Sequence, residues 1–205
     1  MTGPLTSTTR ASTRSKLFFL KQYLRNPFGT GGVAPSGRQL AKLIVSKLAP
    51  QPSEVIVELG PGTGAFTREL LAQGVEPANL ILVEFNKAFV TFLKKEFPNL
   101  RIVEGRAQDL PQLLKGLEQV SVNKIISGIP LRSMKPKECR QIAMAVAAVL
   151  EPGGMFVQFS YFKTSPVPKA VAAEAGLAGQ CVGSALNNVP PAFVWQYTRA
   201  CPAKV

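Results

Sequence analysis

The sequence predicts an α/β fold: a mostly parallel, seven-stranded sheet wrapped by helices on both faces and closed by an antiparallel hairpin. Three observations predict it. Apolar, β-branched runs alternate with helical stretches from Glu54 to Phe162, the pattern of a parallel sheet with crossover helices. The first run breaks into a glycine-rich turn, "VELGPGTGAF", where such sheets carry a cofactor. The last two runs, "GQCVGSALNNV" and "AFVWQYT", have no convincing helix between them and meet at Pro190-Pro191, which suits a hairpin.

The elements follow in order. Residues 1–13 are rich in Ser, Thr and Arg, a composition that does not build a core. "STRSKLFFLKQYLRNPF" reads as a helix ending before Pro27. Leu17, Leu20 and Leu24 share one face with Tyr23, while Lys16, Lys21 and Arg25 supply cations and Phe18 and Phe19 spill beyond the stripe. Such a helix suits a membrane interface, and packing on its own domain is the competing reading. Gly29, Gly31 and Gly32 then form a hinge-like turn, separating a basic arm, 1–28, from a domain, 29–205. "PSGRQLAKLIVSKLA" is a second helix, ended by Pro50 and Pro52. Strands are expected at "EVIVEL", "LILVE", "LRIVEG", "NKIISGI" and "GMFVQFSYF". Helices are expected at "AFTRELLAQ", "KAFVTFLKKEF", "LPQLLKGLEQ" and "PKECRQIAMAVAAVL".

Composition narrows the function. A chain of 205 residues with 46% hydrophobic side chains supports one substantial core. No apolar run approaches the roughly 20 residues that cross a bilayer, and no secretory signal is expected at the start. Cys139, Cys181 and Cys201 are widely spaced, so reduced thiols in a cytoplasm and no metal site are expected. The absence of histidine excludes a Ser-His-Asp hydrolase and a histidine-built metal centre. The net charge is +12, and every charged residue before Glu54 is Lys or Arg. A wholly basic N-terminal quarter draws a polyanion, either nucleic acid or an anionic membrane face.

Gly60-x-Gly62-x-x-Ala65, with Glu84 about twenty positions beyond Gly64, fits a dinucleotide fingerprint. Glu58 argues otherwise. A carboxylate near the turn opposes a pyrophosphate but attracts the sulfonium and ammonium of S-adenosylmethionine. Glu84 suits ribose hydroxyls with either cofactor.

"VELGPGTGAFTREL", "VEFN", "SGIPL", "LEPGGMFVQFSY" and "NNVPPAFVWQYTR" together resemble the bacterial phospholipid N-methyltransferases, which methylate phosphatidylethanolamine toward phosphatidylcholine. The resemblance runs from about Gly29 to Arg199 and implies a Rossmann-like class I methyltransferase fold. By it, Gly60, Gly62 and Gly64 let the backbone approach the cofactor's methionine part, Glu58 orients that part, and Glu84 holds the ribose. Arg106, Ala107 and Gln108 would flank the adenine. Relatives often read Gly-Asp-Ala where this chain has Gly105-Arg106-Ala107. Arginine has no acceptor, so Asp109, Gln108 or a backbone group must receive the adenine amino group.

The resemblance places Ser127, Gly128, Ile129 and Pro130 at the methyl-transfer loop, with backbone carbonyls and the Ser127 hydroxyl directing the amine. An ordinary strand-to-helix loop is the competing reading. Tyr161 would face a methylated ammonium or pack in the core. Arg132, Lys163 and Arg199 are candidates for the head-group phosphate. The expected partners are an anionic membrane surface and a phospholipid, without nucleic acid, at the inner face of the cell membrane. Two rivals stand beside this reading. A ribosomal RNA adenine dimethyltransferase shares the turn, although few residues follow Arg199 to form a helical RNA-binding domain. A non-catalytic protein of the same fold, binding membrane or nucleic acid, is the other.

Overall fold

The computed structural model describes residues 35–117, 121–186 and 191–201. The basic arm, with Lys16, Phe18, Phe19, Lys21, Tyr23 and Arg25, and the boundary at residue 29 lie outside these residues. The first described element, α1 (Pro35–Leu48), buries Leu40, Ala41, Ile44, Val45 and Leu48 and leaves Lys42 exposed, as helical periodicity requires.

Six more strands and helices alternate as expected: β1 (Ile56–Leu59), α2 (Ala65–Ala72), β2 (Leu80–Glu84), α3 (Lys87–Glu96), β3 (Arg101–Glu104) and α4 (Leu110–Lys115). They are followed by β4 (Val122–Ser127), α5 (Pro136–Val149), β5 (Leu150–Ser160), α6 (Lys169–Glu174), β6 (Leu177–Ala185) and β7 (Ala192–Arg199). The sheet has seven strands in the order β3-β2-β1-β4-β5-β7-β6. The first five pair in parallel, and β7 inserts antiparallel between β5 and β6. This is the sheet the sequence predicts, hairpin included.

Side chains alternate across the sheet and build two cores. Val57, Leu59, Ile81, Val83, Ile125 and Phe156 face α4, α5 and α6. Ile56, Leu80, Leu82, Ile126, Val157 and Phe159 face α1, α2 and α3. At the amino edge of the strands Lys124 Nζ lies 2.6 Å from Glu54 Oε2 and donates to Ala49 O at 2.6 Å, so this nearly buried cation is paired with a carboxylate.

Two elements depart from expectation. Helix α6 was not expected, because its residues KAVAAE follow Pro166 and Pro168 and offer one valine and alanines in place of an apolar stripe. An ion pair between Arg140 and Glu174 ties it to α5. Strand β5 starts at Leu150, running through Pro152 and Gly153, residues that read as a turn in isolation.

The sheet reverses its direction of growth between β1 and β4, and the loops leaving their carboxyl ends meet there. Gly128 N donates to Leu59 O at 2.9 Å, and Gly60 N donates to Val83 O at 2.9 Å. Gly64 makes the step into α2 with φ of 79°, and a Cβ there would stand 2.6 Å from Phe97 Cε2. Replacing Gly64 by Ala is therefore expected to cost about 2 kcal/mol, through left-handed strain and the displaced Phe97 ring. The control is Gly74→Ala, where φ is 89° but nothing lies within 4 Å. A thermal melt in which Gly64→Ala loses no more stability than Gly74→Ala contradicts the packing role.

Candidate active site

A cavity of about 300 Å³ opens at the carboxyl edge of the strands, walled by the loops after β1, β2, β3 and β4 and by the start of α5. Gly60, Gly62, Glu84, Arg106, Ala107, Gln108, Gly128, Ile129 and Pro130 line it, so most residues expected from the sequence come together. Gly62 has φ of 57°, and a Cβ there would meet nothing within 4 Å. Its open side leaves room for a ligand against bare backbone.

Glu84 organises this wall. It is nearly buried, accepting from Gly62 N at 3.2 Å and Asn86 N at 2.9 Å. One carboxylate thus ties the glycine turn to the β2 loop. It stands at the end of β2, where nucleotide-binding sheets of this kind place an acidic residue.

Glu58 lies deeper than the sequence reading placed it. It does not line the cavity but is fully buried behind the turn on the α2 side. Thr67 Oγ1 donates to its Oε2 at 2.6 Å, while Oε1 has no partner. Burial, offset in part by the Thr67 bond, pushes its pKa up to about 8. The carboxyl is thus predominantly neutral near pH 7, and a cation brought to the turn favours its ionised form.

The loop after β4 is pinned from below. Gln158, fully buried and in register with Ser127, donates from Nε2 to Ile129 O at 2.9 Å. Ser127 is also fully buried, and its Oγ accepts from Ile129 N at 3.1 Å. This corrects its expected role: the Ser127 hydroxyl closes the loop and does not line the cavity, and the Ile129 carbonyl is already engaged. Gly128, Ile129 and Pro130 do reach the wall.

Three further expectations are corrected. Tyr161 lies outside the cavity wall and packs edge-on against Phe159, with ring centroids 5.5 Å apart. Burial raises its phenol above the usual value. Asp109 is exposed and outside the wall, leaving Gln108 of the two side chains expected to receive adenine. Arg199 donates to Leu150 O at the amino edge of the sheet, far from any head group at the cavity. Arg106 is exposed yet contributes to the wall.

Sequence reasoning missed Phe85, Asn86 and Phe89 after β2, and Met134, Glu138 and Ile142 at α5. Phe85 and Asn86 were signalled by adjacency to Glu84. Glu138, which accepts from Lys135 N at 3.1 Å, carried no signal beyond its place near the start of a predicted helix. Gln158 was signalled by being the one amide in the apolar run "GMFVQFSYF".

Residues 56–154 match a family described as a methyltransferase domain. An ornithine lipid N-methyltransferase from Singulisphaera acidiphila is 32% identical over 148 residues, covering 69% of this chain and 76% of that protein. The chain belongs to the class I S-adenosylmethionine-dependent methyltransferases. A ribosomal RNA small subunit methyltransferase A from Malacoplasma penetrans is 37% identical over 91 residues, covering 44% of this methyltransferase and only 32% of that enzyme. Among solved structures, magnesium protoporphyrin IX methyltransferase from Synechocystis PCC 6803 with bound S-adenosylmethionine superposes with a TM-score of 0.68 at 11% identity. That alignment covers 96% of the methyltransferase and 100% of its counterpart, which confirms the fold.

The site fits the family's methyl donor. The unpartnered Glu58 Oε1 behind the turn, the open side of Gly62 and the backbone-held Glu84 suit a cationic amino acid joined to a ribose. Among the described residues no cluster of side chains could hold a metal ion, and no helix is long and apolar enough to cross a membrane.

The Glu58 environment has a measurable consequence. Its folded pKa of about 8 lies above the carboxyl model value of 4.5. The folded state therefore holds the proton more tightly, and this stability is present at low pH and lost as pH rises through about 8. The melting temperature of the wild type, relative to that of Glu58→Gln, is expected to fall across that range. A pH-independent difference between the two would refute the buried, proton-holding carboxyl.

Proposed function

We propose that the protein N-methylates the primary amine of a membrane lipid, with phosphatidylethanolamine, on the way to phosphatidylcholine, as its substrate. The observation that carries the reading is the similarity, over three quarters of its length, of an enzyme named for N-methylating an amine-bearing lipid. The cavity's chemistry agrees with it. Phe85, Phe89, Ile129, Pro130, Met134 and Ile142 make a largely apolar enclosure. A second reading, ornithine lipid itself, is favoured by the same relative's name. The RNA reading has weaker support, since the matched stretch spans about a third of those enzymes.

Bound S-adenosylmethionine supplies an electrophilic methyl group. Glu84 would hold its ribose, Glu58 would answer its positive charge through the turn, and Ala107 and Gln108 would flank its adenine. The remaining task for the chain is to present a neutral nitrogen in line. With lysine's pKa of about 10.4 as a guide, deprotonating an alkyl ammonium near pH 7 costs roughly 4–5 kcal/mol. An apolar enclosure lowers that cost by disfavouring the ammonium, so no histidine base is needed. The loop Ser127–Pro130 contributes position: Gln158 and Ser127 fix Ile129 on both its carbonyl and its amide, which limits the loop's freedom at the reacting nitrogen.

The test is incubation with methyl-labelled S-adenosylmethionine and, separately, phosphatidylethanolamine vesicles, ornithine lipid vesicles and ribosomal RNA. Label is expected in phosphatidylethanolamine. Label in ornithine lipid alone replaces the substrate but keeps the lipid-amine reading. Label only in RNA overturns it.

A further inference from the structure

The loops at the two edges of the sheet differ sharply in charge. At the carboxyl edge, where the cavity opens, they carry Arg106, Arg132, Lys135 and Lys163, all exposed, against Asp109, while Glu84, Glu104 and Glu138 lie in the adjoining elements. At the amino edge the loops carry Glu54 and Glu76, while Arg101, Lys115, Lys124 and Arg199 lie in the adjoining elements, Lys124 paired with Glu54 and Arg199 bonded to Leu150 O. The loops around the active site are therefore net cationic.

The same end carries exposed apolar side chains. Phe85 follows β2 and is 58% exposed, Phe162 follows β5 and is 57% exposed, and Leu186 follows β6 and is 67% exposed. These three are the most exposed of the large hydrophobic side chains among the described residues. Because β6 runs in the same direction as β5, all three stand at the carboxyl edge. Counting strands at about 4.8 Å each from β2 to β6, they span roughly 25 Å. The Arg132 guanidinium lies 5.6 Å over the Phe162 ring, so cation and aromatic are held as one unit.

We propose that this rim is a docking face for an anionic lipid bilayer, with Phe162 and Leu186 entering the interface and Arg132 and Lys163 meeting lipid phosphates. Complementarity of charge selects an anionic surface. The aliphatic Leu186, which offers no face for stacking on a base, selects hydrocarbon over nucleic acid. Phe85 stands both on the rim and in the cavity wall, so docking opens the cavity directly onto the plane of lipid head groups. The inference deepens the lipid reading above, and it is separate from any contribution of the basic arm, residues 1–28.

The test uses the full chain. Partition onto phosphatidylcholine vesicles, with and without phosphatidylglycerol, is measured by sedimentation for the wild type, Phe162→Ser/Leu186→Ser and Arg132→Glu/Lys163→Glu. Both double variants are expected to lose at least about tenfold in partition onto the anionic vesicles, while keeping S-adenosylhomocysteine affinity by calorimetry, which certifies their fold. Phe162→Ser/Leu186→Ser is also expected to methylate a short-chain lipid amine dispersed below its micelle concentration at the wild-type rate. Unchanged partition overturns the docking face, as does partition abolished only by deleting residues 1–26. Loss of RNA binding with unaltered vesicle binding overturns it in favour of nucleic acid. If rim variants lose vesicle binding while no lipid accepts label in any form, the docking face stands and the substrate reading falls.

Discussion

One carboxylate holds the site together. Glu84, at the end of β2, accepts from the amides of Gly62 and Asn86 and so binds the glycine turn to the neighbouring loop across the strand ends. Everything around the cavity is positioned relative to that clamp. The turn sits over the point where strand order reverses, and a Cβ on Gly60 would stand 2.9 Å from Ile129 Cγ1, which puts the glycine turn in contact with the loop after β4. A parallel sheet fixes strand ends to within a residue. A few hydrogen bonds past those ends are then enough to make a pocket from four separate loops.

Beneath the clamp the electrostatics are layered. Glu84 is at the cavity, held by the backbone amides of Gly62 and Asn86. Glu58 is a layer deeper, with one oxygen bonded to Thr67 and the other unpartnered. A single buried carboxyl with an unused oxygen is costly unless something answers it. The family's donor carries two positive groups, and this arrangement is the physical reason a cationic donor suits the turn better than a pyrophosphate.

The fold was legible in the sequence because parallel strands buried on both faces are short apolar runs, and the helices between them show their period. "LILVE" is β2 from end to end. Helix α6 was not legible, since its alanine-rich turn behind two prolines carries no stripe of large apolar residues, nor was the early start of β5 through glycine and proline. The glycine turn and Glu84 were legible because backbone geometry demands those residue types at fixed spacing. The α5 contribution to the cavity was not, because Met134, Glu138 and Ile142 reach it only after tertiary packing. The depth of Glu58 and the inward hydroxyl of Ser127 were misread for a related reason, and of the two readings given for Tyr161 the structure shows the packing one. Residues at strand ends alternate between wall and core, and one step along the chain decides which.

The most direct test of the electrostatic core of this account is calorimetric. S-adenosylhomocysteine, which retains the donor's ammonium group, is titrated into the protein at pH 7 in buffers of different ionisation heat. With Glu58 protonated beforehand at a pKa of about 8, binding is expected to release close to one proton, and Glu58→Gln to release none. Binding without proton release in the wild type, or tighter binding of NAD than of the adenosyl ligand, would contradict it.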